Sequence, residues 1–136
     1  MIIQKEIKIQ PKGKGFHLIT KEVLQALGEL PEKGLLNLFI CHTSAGLSIN
    51  ENSDSSVLHD MDKSFDLLAR ENETFYTHTM EGRDDMPAHV KSTLTGVSLT
   101  IPITGYRLAL GTWQGIYLCE FRYGGRTRTI IATLYT

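Results

Sequence analysis

The chain has 136 residues, enough for one domain with a real core. A hydrophobic fraction of 41%, a charged fraction of 21% and a formal net charge of −1 give no electrostatic case for nucleic acid or an anionic membrane as partner. No apolar run is long enough to span a bilayer, and the charged start Met1-Ile2-Ile3-Gln4-Lys5-Glu6 does not resemble a secretory signal, so a cytoplasmic location is expected.

In chain order, residues 2–9 place Ile3, Ile7 and Ile9 on one parity against mostly charged or amide residues, the pattern of a strand with one wet face. Pro11-Lys12-Gly13-Lys14-Gly15 reads as a positively charged turn. Thr20 is placed to cap a short helix with Val23, Leu24 and Leu27 as its apolar stripe and Gly28 near its stop. After a loop at Pro31-Glu32-Lys33-Gly34, the stretch Leu35 to Cys41 is apolar apart from Asn37, as in a central strand covered on both faces. His42 to Asn52 is then a polar stretch hung on that strand's end, where functional loops are commonly found. Ser53 or Asp54 can cap a longer helix to about Arg70, with Val57, Leu58, Met61, Phe65 and Leu68 on one side and His59 nearly opposite.

Residues 71–77 follow, with Phe75 and Tyr76 able to form a short strand. Pro87 suits the first turn of a helix whose narrow apolar face is Met86, Val90 and Leu94 and which ends at Gly96. Val97, Leu99, Ile101 and Ile103 alternate with polar positions, and Pro102 marks an edge, an end or a bulge. Beyond Gly105, strands over Arg107–Thr112 and Ile116–Tyr123 are joined by the tight connection Trp113-Gln114-Gly115. Gly124-Gly125 reads as a hairpin turn into a last strand, Arg126–Tyr135. Cys41 and Cys119 both lie in apolar stretches and are expected as buried, reduced thiols. Together these elements predict an α+β fold: a single compact domain over residues 1–136, mainly antiparallel β-sheet or sandwich with about three helices.

The chemistry concentrates between His78 and His89, where two imidazoles and the carboxylates of Glu81, Asp84 and Asp85 fall within a dozen residues. No hydrophobic core needs such a stretch; these side chains bind metals, bind anions or move protons. His78 and His89 are too far apart to share a helix face and need the Gly82 turn to meet. His89 is expected in the first turn of its helix, where the positive end of the dipole disfavours imidazolium. His42 continues the parity of Leu36, Leu38 and Ile40, which puts it at the rim of the core. His42, His78 and His89 together can form a metal site with an open position, although each alone is equally a packed or surface histidine. Glu81 and Asp84 either hold a divalent cation or pair with Arg83, and Asp85 is as well placed to cap the helix as to join the site. Glu51, from Asn50-Glu51-Asn52, is the candidate carried into the site from the earlier stretch; Thr43 and Ser44 either donate to a phosphate or cap a turn. Glu120 shares an apolar parity with Ile116 and Leu118 and needs a partner, which Arg122 can supply. Trp113 reads as interface or core before stacking surface, with Thr112 and Gln114 as the turn's polar contacts; His17 and His59 read as structural or surface.

The motifs His42-Thr43-Ser44-Ala45-Gly46-Leu47, Ile49-Asn50-Glu51-Asn52, His78-Thr79 with Glu81-Gly82, Asp84-Asp85-Met86-Pro87-Ala88-His89 and Leu110-Gly111-Thr112-Trp113-Gln114-Gly115-Ile116-Tyr117, in this order, resemble the YjbQ family over nearly the whole chain. The helix opening Ser53-Asp54-Ser55-Ser56 and Tyr106 before Arg107 depart from that family's pattern without touching the histidine motifs. The resemblance implies a compact α+β fold with an antiparallel sheet, a homotrimer, and a site built from the histidine motifs and the Gly111–Gly115 turn. It also implies a secondary thiamine-phosphate synthase, joining a hydroxymethylpyrimidine diphosphate to a thiazole phosphate with release of pyrophosphate, in full or as a weak side activity.

The candidate set is therefore His42, His78, His89, Glu81 and Glu51 for catalysis. Thr43, Ser44, Asn50, Asp84, Thr112, Trp113 and Gln114 are candidates for substrate contacts. His42, His78 and His89 are the candidate ligands of Mg²⁺ or Zn²⁺, and no nucleotide or organic cofactor is expected. The basic residues Lys12, Lys14, Arg83, Lys91 and Arg107 are scattered, there is no Gly-rich phosphate loop, and the chain is too short for a (β/α)₈ barrel of about 250 residues. Two alternatives fit the same residues: a metal-dependent hydrolase of a small phosphorylated metabolite with Glu81 or Glu51 as base, and a non-enzymatic trimer that binds an anion or metabolite.

Overall fold

A computed structural model describes residues 1–136. Its first strand, β1 (Ile2–Ile9), is followed by a short β2 (Gly15–Leu18) and helix α1 (Thr20–Leu27). Then come β3 (Lys33–Ile40), β4 (Ala45–Glu51), α2 (Ser55–Leu68) and α3 (Asp85–Thr95). The last third is β5 (Ser98–Thr104), β6 (Arg107–Leu108), β7 (Gln114–Glu120) and β8 (Arg128–Tyr135). These strands form two antiparallel sheets, one ordered β1-β8-β3-β5-β6 and one ordered β2-β7-β4. No helix is long and apolar enough to cross a membrane.

Side-chain alternation decides the layers. Ile7 and Ile9 of β1, Leu36, Leu38 and Ile40 of β3, Ile101 and Ile103 of β5, and Ile130, Ala132 and Leu134 of β8 point the same way. They meet Ala45, Leu47, Ile116 and Leu118 from the smaller sheet, with Ile19, Val23 and Leu27 closing one end. The other face of the smaller sheet, through Phe16, Tyr117 and Cys119, packs with Phe121 against Leu58, Met61 and Phe65 of α2 and Ala88 of α3. The domain is thus sheet on sheet, with α2 and α3 as a third layer.

Several sequence expectations need correction. Residues 42–52 are not all loop: Ala45–Glu51 pairs along its whole length with β7. Gly15–Leu18, expected as a turn and its exit, is a strand paired with Tyr117–Glu120. Gly124-Gly125 is not a hairpin turn, because β7 and β8 belong to different sheets. The segment crosses between them, and a Cβ on Gly125 (φ +58°) would overlap the Lys12 carbonyl. The strand expected over Arg107–Thr112 shrinks to Arg107–Leu108, and Phe75 and Tyr76 lie in a turn. Thr20 opens α1 but does not cap it; its Oγ1 accepts from the Ile116 amide. Cys41 is exposed, since it follows the outward parity of β3, and Cys119 is buried; both thiols are free.

Pro102 fits its place. The amide N and C=O of one strand residue face the same side, and the Pro102 carbonyl accepts from Ala109 on the side that β6 covers only in part. Its missing donor therefore removes no bond from the β3 ladder. Helix α2 starts as expected, with Asp54 Oδ1 accepting from the Ser56 amide. Helix α3 does not turn its apolar stripe inward. Asp85, Pro87, Ala88, Lys91 and Ser92 are buried, and Leu94 is exposed. Its buried polar residues find partners: Ser92 Oγ donates to the Ala45 carbonyl, Lys91 Nζ donates to Asp66, and Asp85 meets the groups described next; near the helix end the buried Thr95 Oγ1 has none.

Candidate functional site

The loop before α3 turns back at Gly82 (φ +106°), and the Asp85 amide donates to the Gly82 carbonyl. This brings His78 onto the start of α3. Asp85 and His89 lie one helical turn apart on the same face. The result is a cluster around one oxygen: His78 Nε2 lies 2.6 Å and His89 Nε2 3.0 Å from Asp85 Oδ2. The two rings are 5.4 Å apart between centroids. Asp85 is buried while His78 and His89 keep 43% and 31% of their side chains exposed, so the cluster has a fixed floor and an open top.

The floor is built by Arg122. Its Nη1 donates to Asp85 Oδ1, its Nε to Asp84 Oδ2 at 2.9 Å, and its Nη2 to the Glu81 carbonyl. Asp84 Oδ2 also accepts from the Tyr123 amide. Asp84 occupies the helix N-cap position, but its carboxylate bonds the exit of β7 instead of the helix. Burial alone would push both carboxyls up. For Asp85, the hydrogen bond from His78 and the charges of His89 and Arg122 outweigh it; for Asp84, the Tyr123 amide and Arg122 do. Both are held below the usual carboxylate range, and Arg122 is raised against its own burial.

His89 is held from its other side as well: its Nδ1 lies 2.9 Å from the Thr43 carbonyl. His89 is the fifth residue of α3, just past the first turn where it was expected. Thr43 is placed in turn by a buried clamp. Arg128, on β8, donates through Nε to Glu120 Oε1 and through Nη2 to Glu120 Oε2, Ser44 Oγ and the Ser44 carbonyl. Glu120 therefore pairs with Arg128, not with Arg122; only the Arg122 amide reaches it. Arg83 pairs with Glu71 and not with Glu81 or Asp84.

The remaining candidates are spread. His42 sits at the end of β3, but its Nε2 accepts from the Thr129 amide at 2.9 Å, and the group whose ligand atoms converge is His78, Asp85 and His89. His42 does share a cavity of about 320 Å³ with His89. The Glu81 side chain is exposed, and only its carbonyl joins the cluster, through Arg122. Glu51 Oε2 accepts from the Ser53 and Asp54 amides ahead of α2, and Asn50 Oδ1 from the Glu51 amide. Gln114 Oε1 accepts from the Gly111 amide, and the Thr112 carbonyl accepts from Asn52. Trp113 is exposed. In the β4–β7 ladder Ala45 faces Glu120 at one end and Glu51 faces Gln114 at the other, about 20 Å away for a seven-residue strand. Within one chain, Glu51, Asn50 and the Gly111–Gly115 turn therefore do not meet the histidines. His17 Nε2 bonds the Gly13 carbonyl and His59 is exposed, both as expected. Arg122 and Arg128 were not singled out for the site. Their signal was there: charged residues entering and leaving otherwise apolar strands.

The family model described as "UPF0047 protein YjbQ-like" matches residues 5–136. The chain belongs to the YjbQ family. It is similar to the UPF0047 protein YjbQ of Salmonella typhimurium, at 50% identity over 98% of each chain. Among solved structures, a conserved hypothetical protein from Thermus thermophilus shares 35% identity at a TM-score of 0.83, over 94% of this chain and 97% of that one. A YjbQ/UPF0047 protein from Clostridium acetobutylicum shares 34% identity at a TM-score of 0.82, over 96% and 98%. The YjbQ fold, a single α+β domain with three helices and antiparallel sheets, is thus the fold seen here.

Proposed function

We propose that this YjbQ protein is a metal-assisted enzyme acting on a small phosphorylated metabolite, with His78, Asp85 and His89 as the ligands of a divalent cation. One observation carries this reading. A carbonyl offers no proton, so His89 Nδ1 must donate to Thr43, and in the neutral ring Nε2 is then the bare nitrogen. That nitrogen faces Asp85 Oδ2, an ionised acceptor, at 3.0 Å. Two lone pairs at this separation need a cation between them or a second proton on the ring. His78 Nε2 adds a third ligand atom at the same oxygen. Atoms bound about 2.0–2.2 Å from a zinc ion lie on the order of 3 Å from one another; the two imidazole nitrogens lie 2.6 and 3.0 Å from Asp85 Oδ2, and all three ligand atoms lie within 4.8 Å of one another. In this reading Asp85 takes the place in the ligand set that His42 was expected to fill.

A bound ion would supply Lewis-acid stabilisation of departing phosphate or diphosphate and an activated water. The chain's own part is orientation. Arg122 holds Asp85 Oδ1 so that Oδ2 faces the imidazoles, and Thr43 fixes the His89 tautomer. Glu81, exposed and tied by its backbone carbonyl to Arg122, is the carboxylate proposed to take a proton from water. Within this class, the YjbQ resemblance ranks the thiamine-phosphate synthase reaction first. Hydrolysis is the second reading, favoured by the modest cavity of about 320 Å³, whose one apolar lining residue is Val97.

The exposed face of the larger sheet supports the homotrimer. Phe39, Leu35 and Tyr135 lie there, with Leu35 and Tyr135 directly paired across β3 and β8. Met86, Val90 and Leu94 form a second apolar strip beside His89. Incubation with the pyrimidine and thiazole substrates, and with simple phosphate esters, tests the reaction. Pyrophosphate release matched to coupled product supports the synthase, and phosphate release alone supports the hydrolase. Equal turnover in Asp85→Asn would refute the site, and ligand binding without turnover leaves the non-enzymatic trimer.

A further inference from the structure

We infer that the cavity between His42 and α3 is an oxyanion subsite, in which the Nδ1–H of a neutral His42 donates to a phosphoryl oxygen. This deepens the reading above and rests on it: His89, a proposed ligand of the cation, lines the same cavity as His42.

The constraint comes from a backbone amide. Thr129 N–H donates to His42 Nε2 over 2.9 Å. An amide can only donate, so Nε2 is bare and the ring proton sits on Nδ1. Nε2 is thereby withdrawn from metal binding, and Nδ1–H is left as a donor with no partner in the chain. The ring lines the cavity with Thr43, His89, Ser92, Thr93, Gly96 and Val97. The other hydroxyls there are already engaged as donors: Ser92 Oγ donates to the Ala45 carbonyl and Thr93 Oγ1 to the His89 carbonyl. His42 Nδ1–H and the Thr43 hydroxyl remain for a ligand.

The local field has the sign an anion needs. Burial lowers the His42 pKa, and Arg128, Lys8 and Arg126 lower it further against the opposing Glu120. Glu120 is matched by Arg128, and Lys8 is matched by Glu6. Arg126 has no acidic partner and is exposed. The excess charge facing His42 is therefore positive, and the Asp85 carboxylate lies on the far side of the His89 ring from Thr43. A fixed neutral donor in such a field holds an oxyanion without a proton transfer, the arrangement that stabilises charge developing on a phosphoryl oxygen.

The test is calorimetric titration of inorganic phosphate into the metal-free full chain at neutral pH and low salt, followed by titration of Zn²⁺. Saturable phosphate binding is expected, weakened about tenfold in His42→Phe. Arg126→Ala, which removes an exposed side chain with no hydrogen bond or ion pair in the fold, should weaken it roughly threefold. Zn²⁺ affinity should be unchanged in both, whereas Asp85→Asn should lose Zn²⁺ and keep phosphate. Long-range ¹H–¹⁵N correlation in the folded wild type should show Nε2 of His42 unprotonated, a readout that does not depend on any variant folding. Phosphate binding without Zn²⁺ binding would remove the metal reading and leave the subsite standing. Equal phosphate affinity in wild type and folded His42→Phe, no phosphate binding by the wild type, a proton on Nε2, or Zn²⁺ affinity lost with His42 would each overturn it.

Discussion

Two carboxylate clusters lie within a few residues of each other in this fold, and they differ in how their hydrogen bonds close. At Glu120–Arg128 both side chains are essentially sealed, at 0% and 2% exposure. Glu120 accepts from Arg128 Nε, Arg128 Nη2 and the Arg122 amide, and Arg128 also reaches Ser44. At Asp85 one oxygen is closed by Arg122, while the other faces the Nε2 atoms of two half-open imidazoles. The first cluster is complete and joins the two sheets, since Glu120 ends β7 and Arg128 begins β8. The second sets the carboxylates of Asp84 and Asp85 against one guanidinium, a deficit of one positive charge unless an imidazole is protonated or a cation is bound. Completeness and burial mark the structural pair; the deficit and the open side mark the chemical one.

The sharpest way to break that contrast is to remove one partner of the sealed pair. Arg128→Met or Glu120→Gln should cost about 3–5 kcal/mol in urea unfolding, because the other charge is left buried. The double change Glu120→Leu with Arg128→Met should cost less than either single change. A single-variant loss below about 1 kcal/mol would mean the pair is not a clamp. The next effect is on the open cluster. Arg122→Gln should lower divalent-metal affinity by about 10- to 100-fold, as loss of a group that orients a ligand does. Metal titration of the folded variant checks it, and unchanged affinity would show that Asp85 does not need Arg122.

A third effect concerns acid. Asp84 and Asp85 have folded pKa values below their unfolded ones, near 3.8. Their contribution is fully present above the unfolded value and is lost as pH falls through the folded one, because the unfolded chain takes up protons first. Stability should therefore rise with pH through the range below about 4. The gap between wild type and Arg122→Gln should be widest above that range and narrow within it; a gap independent of pH would detach Arg122 from these carboxylates. The smallest effect should be at His59, exposed and bonded only to Asp60. His59→Ala should change stability by less than about 0.5 kcal/mol and leave metal binding untouched. A larger effect would mean that histidines outside the cluster matter.

Strands with one dry face were legible in the sequence because alternation encodes them: Ile7 and Ile9, or Ile101 and Ile103, face the core as their spacing requires. The Asp54 cap was legible for the same local reason. Which sheet a strand joins was not, and Gly124-Gly125 looks alike as a hairpin or as a crossing between layers. Helix α3 misled because its buried face is polar, and only its partners on β4, α2 and the exit of β7 make that burial tolerable. In the site, the meeting of His78 and His89 over Gly82 followed from spacing. Asp85 as its centre did not, because a helix start offers a capping role that is equally local. Arg122 stands out as a charge leaving an apolar strand, but its partner on α3, like the Thr129 amide that holds His42, lies far away in sequence, and no short-range pattern pairs them.

The central claim is that His78, Asp85 and His89 hold one divalent cation. Equilibrium titration of Zn²⁺ into metal-free wild type, Asp85→Asn and His42→Phe tests it most directly. The account predicts one saturable site in the wild type, affinity at least about tenfold weaker in Asp85→Asn, and no change in His42→Phe. No saturable binding by the wild type, or equal affinity in Asp85→Asn, would contradict it.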